Sequence, residues 1–378
     1  MKLSIFSFAR KAGRIMLTAV SILLVGIFIL TGILWAMSPG KPEPFLDESG
    51  NPLAGSISEK TFVEINGVQQ GMFIQSRDAR NPVLLYLHGG MPDYFLKQKY
   101  PTRLEDVFTV VWWEQRGSGI SYNDSISKES ITMEQLISDT LAVTNYLRDR
   151  FHQDKIYLMG HSGGTFLGIY VIDKMPELYE AYIGMAQMSD QLFSEKIAYE
   201  YFLNHYKETK NQKMVDYFQS IDLNDQKKLP KEYLKIRDTA MHELGIGTMR
   251  NMRNIVIDLF LPSLYFSEYT LSDKYHLWAG KSKFSISQNW EKMTRTNLIE
   301  TKNDFKIPVY FFHGLYDYTC SYELAKIYFD KINAPRKGFY TFDQSAHSPL
   351  FEEPEKMNGI LINDVKNLRT DLADKQQN

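Results

Sequence analysis

The segment from Lys155 to Lys174 reads KIYLM, then GHSGG, then TFLGIYVIDK, and few folds accept that succession. A short apolar run of this kind is a buried strand. The stretch after the glycines has helical patterning, so Ser162 sits at a strand-to-helix junction with no linker. Glycines on both sides of Ser162 allow the tight, strained backbone turn that such a junction demands. A serine hydroxyl is a weak nucleophile unless it is held out of regular structure within reach of a base, and this turn does that. A G-x-S-x-G stretch also occurs in ordinary turns, so the weight of the reading rests on its partners.

Two further groups stand in corresponding places. Asp317 lies in Gly314-Leu315-Tyr316-Asp317 after the apolar run Val309 to His313, and His347 lies in DQSAHS after the run Gly338 to Phe342. Each of the three follows the C-terminal end of an expected strand, and parallel strands bring those ends to one edge of a sheet. The chain order Ser162, Asp317, His347 then predicts a catalytic triad. His347 would take the Ser162 proton and return it to the leaving group, while Asp317 fixes the imidazole tautomer. An oxyanion site requires backbone N–H donors beside the serine. Gly89-Gly90, directly after the run Pro82 to His88, offers Gly90 as one donor, and Gly163 offers the other.

The rest of the chain supports an α/β architecture with a mostly parallel sheet covered by helices on both faces. Thr61 to Ile65 and Met72 to Gln75 flank Asn66-Gly67 as an opening hairpin. Apolar runs at Pro82–His88, Phe108–Trp113, Lys155–Met159, Ala181–Met185, Val309–His313 and Gly338–Phe342 follow as strands. Helical stretches such as Met133–Arg150 and Tyr322–Ile332 alternate with them. Between about 189 and 305 the alternation stops. Helix-like segments rich in aromatic residues and methionine, such as Gln191–Thr209 and Thr248–Phe260, take over. An insertion there would roof the Ser162 edge as a helical cap, with Tyr265, Phe266, Tyr269, Tyr275, Trp278 and Trp290 as candidate pocket lining.

With His88-Gly89-Gly90, the run EQRGSGIS from Glu114 to Ser121, Gly160 to Gly164, Asp317 and His347 in place, the chain resembles the α/β-hydrolase superfamily. Within it the chain is most similar to the prolyl iminopeptidase-like branch of serine aminopeptidases. That branch carries His-Gly-Gly-Pro-Gly and Asp-Gln-Arg-Gly-x-Gly-x-Ser stretches. Here Met91 and Pro92 stand where Pro-Gly would, Glu114 replaces the Asp, and Gly163 occupies a place where Trp is usual. The resemblance implies the same triad, Ser162, Asp317 and His347, with Gly90 and Gly163 as oxyanion donors. It also implies small amides or peptide amino termini as substrates.

An aminopeptidase holds its substrate's ammonium with buried carboxylates. Glu195 and Glu200 in the first cap segment are the candidates for that role; acids on an exposed helix face are the alternative for both. The same triad cleaves esters, which keeps a carboxylesterase or lipase as a second reading. A ligand-binding sensor with a hydrolase-like pocket is a third. Arg116 reads as a tie between loops beneath the site, and His88 as a support for the oxyanion loop. His161 and His313, beside the functional turns, read as packing or turn hydrogen bonding. No His/Asp/Glu grouping has metal spacing and no phosphate-binding glycine loop is present, so neither a metal nor a cofactor is expected. Cys320 is the chain's one cysteine and reads as a buried filler.

At the N-terminus, Ile15 to Met37 is uncharged and mostly apolar, and as a helix it would extend roughly 35 Å, enough for a bilayer core of about 30 Å. Lys2, Arg10, Lys11 and Arg14 precede it without an acid. A signal anchor is therefore expected, single-pass in the cell membrane, with the N-terminus cytoplasmic and the catalytic domain outside. A cleaved signal is the alternative. The formal net charge of −2 and the absence of a long basic run exclude a nucleic-acid partner, leaving a small-molecule or peptide substrate and the membrane. The expected organisation is a basic segment at 1–14, the anchor at 15–37, a proline-rich spacer at 38–59, hydrolase core at 60–188 and 306–378, and the cap at 189–305.

Overall fold

Asn66 and Gly67 take φ values of 48° and 75°, the left-handed pair that closes a two-residue hairpin, and they join β1 (Ile57–Ile65) to β2 (Val68–Ser76). The computed structural model describes residues 2–223, 229–284 and 287–375. The first residue of the basic segment, two short stretches of the expected cap and the last three residues of the core lie outside the described residues.

Six further strands complete an eight-stranded sheet among the described residues: β3 (Val83–Leu87), β4 (Thr109–Trp113), β5 (Ile156–His161), β6 (Tyr179–Met185), β7 (Val309–Gly314) and β8 (Lys337–Phe342). Their order is β1-β2-β4-β3-β5-β6-β7-β8, antiparallel at β1–β2 and β2–β4 and parallel from β4 onward. Strands β3, β4, β5 and β7 are buried at every position, which explains why they read as continuous apolar runs rather than alternating ones. Leu85, Leu158 and Phe311 point into one face of the sheet and Leu84, Met159 and Phe312 into the other, so each face carries its own core.

Helix α1 (Lys2–Ala36) precedes the sheet; its portion Lys11–Ala36 is long and apolar enough to cross a membrane. Helices α2 (Met133–Phe151) and α3 (Gly163–Lys174) cover the sheet between β4 and β6. The insertion between β6 and β7 is helical as expected. It begins with α4 (Gln191–Glu208), α5 (Gln212–Gln219) and α6 (Lys231–Glu243), which build a separate small core from residues such as Phe202, Tyr206, Phe218 and Tyr233. The helix expected over Thr248–Phe260 starts late. Asn254 caps it by accepting the Ile257 N–H at 3.0 Å, and Asp258 accepts the Arg253 N–H at 2.7 Å, so the chain before Asn254 stays irregular. A wide turn, Val256–Phe260, runs directly into α7 (Leu261–Tyr265), followed by α8 (Leu271–Phe284), α9 (Ser287–Arg295) and α10 (Leu298–Thr301); α11 (Tyr322–Lys331) lies between β7 and β8.

Beneath the sheet's C-terminal edge, Arg116 acts as the tie expected of it. Its guanidinium holds both oxygens of Asp139 on α2, at 2.6 and 2.9 Å, and also donates to the carbonyls of Ile65 and Asn66 in the hairpin turn. Both side chains are buried. Asp139 takes further hydrogen bonds from Gln70, Gln135 and Asn66, so its charge is fully compensated. Replacing Arg116 by Met leaves that carboxylate buried without its counter-ion. Urea unfolding of Arg116→Met is expected to show a loss of about 3–5 kcal/mol.

Candidate active site

Strand β5 ends at His161, α3 begins at Gly163, and Ser162 between them takes φ 55° and ψ −125°. A non-glycine residue rarely adopts that conformation, and it lifts the side chain clear of both elements. The Ser162 N–H donates to the Met185 carbonyl at 3.1 Å, and its carbonyl accepts from the Thr165 N–H at 2.8 Å, which locks the turn between β6 and the first turn of α3. Gly164 permits the arrangement. A Cβ there would lie 2.1 Å from the Leu87 carbonyl oxygen, so α3 can pack this close to β3 only without a side chain.

Asp317 is fully buried in the loop after β7. Its Oδ1 accepts from the backbone N–H groups of Thr319 and Cys320 at 2.8 and 2.9 Å. Its Oδ2 lies 2.9 Å from His347 Nδ1 and 3.2 Å from His313 Nε2. Burial pushes the Asp317 carboxyl upward, but the two imidazoles outweigh it and hold the group well below the ordinary carboxylate range. With Asp317 ionised, His347 donates from Nδ1 and keeps Nε2 free as an acceptor. Burial lowers the His347 pKa below its usual 6.5, partly offset by Asp317, so the ring rests neutral at physiological pH.

His313 is the partner that sequence reasoning leaves out of the site. It does bond the turn, donating to the Cys320 carbonyl at 2.7 Å, but it also shares the Asp317 carboxylate. His161 likewise has a place in the site. Its Nε2 donates to the backbone carbonyl of His347 at 2.9 Å and its Nδ1 faces Asp93 Oδ2 at 3.0 Å, an oxygen that also accepts the Tyr86 hydroxyl. The loop bearing His347 is held by two glutamates: Glu352 accepts the Ala346 N–H and Glu353 the Ser345 hydroxyl.

Gly89 packs directly on the serine; a Cβ on it would sit 2.8 Å from Ser162 Cβ. Its neighbour Gly90 and the helix-opening Gly163 lie at the same junction. His88 braces this loop. Its Nε2 accepts the Gln115 N–H at 3.1 Å while the Gln115 amide donates to the His88 carbonyl at 2.9 Å, and burial drives its pKa down to about 4, so it stays neutral.

Ser162 and His347 open into one cavity of about 400 Å³ beneath the helical insertion. Its walls include apolar Leu96, Leu234, Ile255, Leu259 and Phe351, together with Asp93, Asp238, Arg237 and Lys281. Of the six aromatic rings offered as lining, Trp290 reaches the cavity. Phe266 and Tyr269 are instead buried against the sheet, Trp278 packs half-buried beside them with its indole N–H donating to the Ser263 hydroxyl at 2.9 Å, and Tyr265 and Tyr275 face outward. Cys320 is buried and its thiol is pushed well above its ordinary pKa by burial, which fits a filler. Among the described residues, no group of three His, Cys, Asp or Glu could hold a metal.

The profile of the alpha/beta hydrolase fold family matches residues 82–354 of the chain. The chain is an α/β hydrolase. A probable aminopeptidase of Bacillus subtilis (strain 168), YbaC, is 31% identical to this hydrolase over 305 residues, covering 80% of this chain and 95% of the relative. Among solved structures, a proline iminopeptidase of Mycobacterium smegmatis superposes with a TM-score of 0.56 at 16% identity, covering 82% of this hydrolase and 98% of that chain. A proline iminopeptidase-related protein of Thermus thermophilus gives 0.53 at 15% identity, with coverages of 81% and 96%. These two likenesses concern the fold.

The two cap glutamates have different surroundings from those expected. Glu195 is buried on α4, and all its acceptor positions are engaged: Arg237 clamps both oxygens at 2.6 and 2.7 Å, and Tyr233 and Gln191 donate at 2.9 Å. Glu200 is exposed on the same helix and does not line the cavity. In this hydrolase Glu195 thus binds α4 to α6. Glu195→Gln is expected to cost about 3 kcal/mol by leaving Arg237 without its buried counter-charge. Hydrogen exchange should show the opening concentrated in α4 and α6.

Proposed function

We propose that this hydrolase is a membrane-anchored serine enzyme that cleaves small amides or peptides at a free amino terminus through an acyl-enzyme. The observation that carries the reading is the Asp317–His347 hydrogen bond of 2.9 Å, reaching the cavity onto which the strained Ser162 opens. In this mechanism His347 Nε2 takes the Ser162 proton as the oxygen attacks the substrate carbonyl. The oxyanion is received by the Gly90 and Gly163 N–H groups; Gly163 opens α3, where the first N–H groups have no intrahelical partner. Collapse of the tetrahedral species breaks the carbon–nitrogen bond, and the imidazolium returns its proton to the departing amine. Water then repeats the sequence on the acyl-enzyme, releasing the acid and regenerating Ser162.

Recognition of a free amine requires an available carboxylate. Glu195 has no free acceptor, Glu200 points to solvent and Asp238 in the cavity wall is paired with Arg237 at 2.8 Å, so the amine is assigned to Asp93, whose Oδ1 is buried in the cavity wall without a hydrogen-bond partner among the described residues. The curated relative's name, probable aminopeptidase, supports the substrate class. The anchor is α1, and the lysines and arginines before its apolar part favour a cytoplasmic N-terminus with the hydrolase domain outside.

Ser162→Ala is expected to lower kcat on unblocked aminoacyl arylamides by about 10⁶-fold. Capping the substrate amine should abolish turnover of the native enzyme. Hydrolysis confined to nitrophenyl esters would move the assignment to an esterase. The pH profile provides an independent check. His347 must be neutral to act as base and its pKa lies below 6.5, so activity should persist as pH falls past 6.5 and fail only lower, measured as kcat/KM against pH.

A further inference from the structure

The spacer expected at 38–59 does not hang free at its start. Ser38, two residues beyond α1, is buried, and its hydroxyl accepts from Lys274 Nζ at 2.6 Å. The same ammonium donates to the Leu264 carbonyl of α7 at 2.7 Å, so one nitrogen holds the end of α1 to the cap. Gly40 adds a second fastening. Its N–H donates to the Ser267 carbonyl at 3.0 Å, and with φ at +72° it lies so close to Thr270 that a Cβ would meet the threonine methyl at 2.3 Å. The 26 residues of Lys11–Ala36 extend about 39 Å as a helix, against a hydrocarbon core of about 30 Å. The Leu264 region therefore lies at the edge of any bilayer that α1 crosses.

What the cap presents there is apolar. Val256, Phe260, Leu261 and Tyr265 are 59%, 37%, 36% and 50% exposed along the segment Val256–Tyr265. Beside them a shallow groove runs between Ile257, Leu261, Pro262, Tyr265 and Phe95. Lys99 and Arg253 flank the segment and both pair with its Asp258, at 3.1 and 3.8 Å, which keeps their partly exposed side chains at the border of the apolar face, where long basic side chains sit at an interface. The opposite side of the same segment supplies Ile255 and Leu259 to the catalytic cavity.

We propose that the apolar face of Val256–Tyr265 lies in the interfacial layer of the bilayer that α1 crosses, with Phe260, Leu261 and Tyr265 among the lipid headgroups and acyl-chain ends. This rests on the anchored reading of α1. The cavity wall is then one helix thick on its lipid side, and substrates concentrated at the membrane surface have the shortest way to Ser162.

The test uses the full chain in nanodiscs of phosphatidylcholine and phosphatidylglycerol, with the fluorophore NBD on single added cysteines. Cys320, buried and held as a thiol, stays unlabelled, which the unsubstituted chain verifies. The positions are Tyr265→Cys on the cap face, Leu24→Cys within α1 and Ile327→Cys, an exposed apolar site on α11. The expected result is blue-shifted emission at Tyr265 and Leu24, with loss of intensity at both when spin-labelled lipids are included, and a water-like, unquenched signal at Ile327. Quenching at Leu24 with a water-like Tyr265 would overturn the inference while leaving the anchor in place. A blue-shifted Tyr265 that lipid spin labels do not quench would also overturn it, pointing to a second copy on that face. If neither position is quenched, α1 does not insert, and the anchoring and this inference fall together.

Discussion

The close approach of α3 to β3 is the constraint on which the site depends. Gly164 stands against the Leu87 carbonyl where no side chain fits, and this lets the helix begin one residue after Ser162. Move the helix outward and Ser162 loses its hydrogen bond to Met185, its positive φ and its contact with Gly89 together. The strain at Ser162 persists because strands β3 and β6 fix both sides of the turn, which is how a costly backbone conformation survives in a folded protein. The glycines of the motif are therefore packing requirements first, and the exposure of the hydroxyl follows from the packing.

The charge at Asp317 depends on a similar arrangement. A lone buried carboxylate would be neutralised, yet this one accepts two backbone N–H groups and faces two imidazoles. His313 has no way to the cavity and no free nucleophile of its own, so its contribution is to keep the carboxylate ionised while His347 stays mobile in protonation. His161 works from the other side, fixing the His347 backbone through its carbonyl and being held in turn by Asp93. Two histidines thus support His347, His313 through the carboxylate the two rings share and His161 through the His347 backbone.

Much of this was legible in the sequence because strands buried on both faces write themselves as unbroken apolar runs, and because the three polar groups follow three such runs. The parallel strands, the hairpin at Asn66-Gly67, the tie at Arg116 and the cap insertion all follow from local pattern. What pattern could not supply was pairing across long separations. Glu195 looked like an acid available to substrate because Arg237, 42 residues later, carries no local sign of being its partner. The aromatic rings of the cap looked like lining because ring content does not tell which side of a helix meets the sheet. The late start of the Val256–Tyr265 helix depends on Asn254 and Asp258 capping it, a signal present in the sequence but outweighed by the apolar residues before it.

The spacer shows the same limit in reverse. Serine, prolines and glycine at 38–44 have the composition of a free linker, yet Ser38 and Gly40 are fastened to the cap by Lys274 and Ser267. Composition reports how a segment behaves when nothing binds it, and a partner 236 positions away removes that condition. Once fastened, the segment transfers the position of α1 to the cap helices, and the cap shares Ile255 and Leu259 with the cavity. A free tether would make the N-terminal helix a matter of location only. A bonded one makes the orientation of the cavity lined by Ser162 and His347 toward the end of that helix a property of the fold.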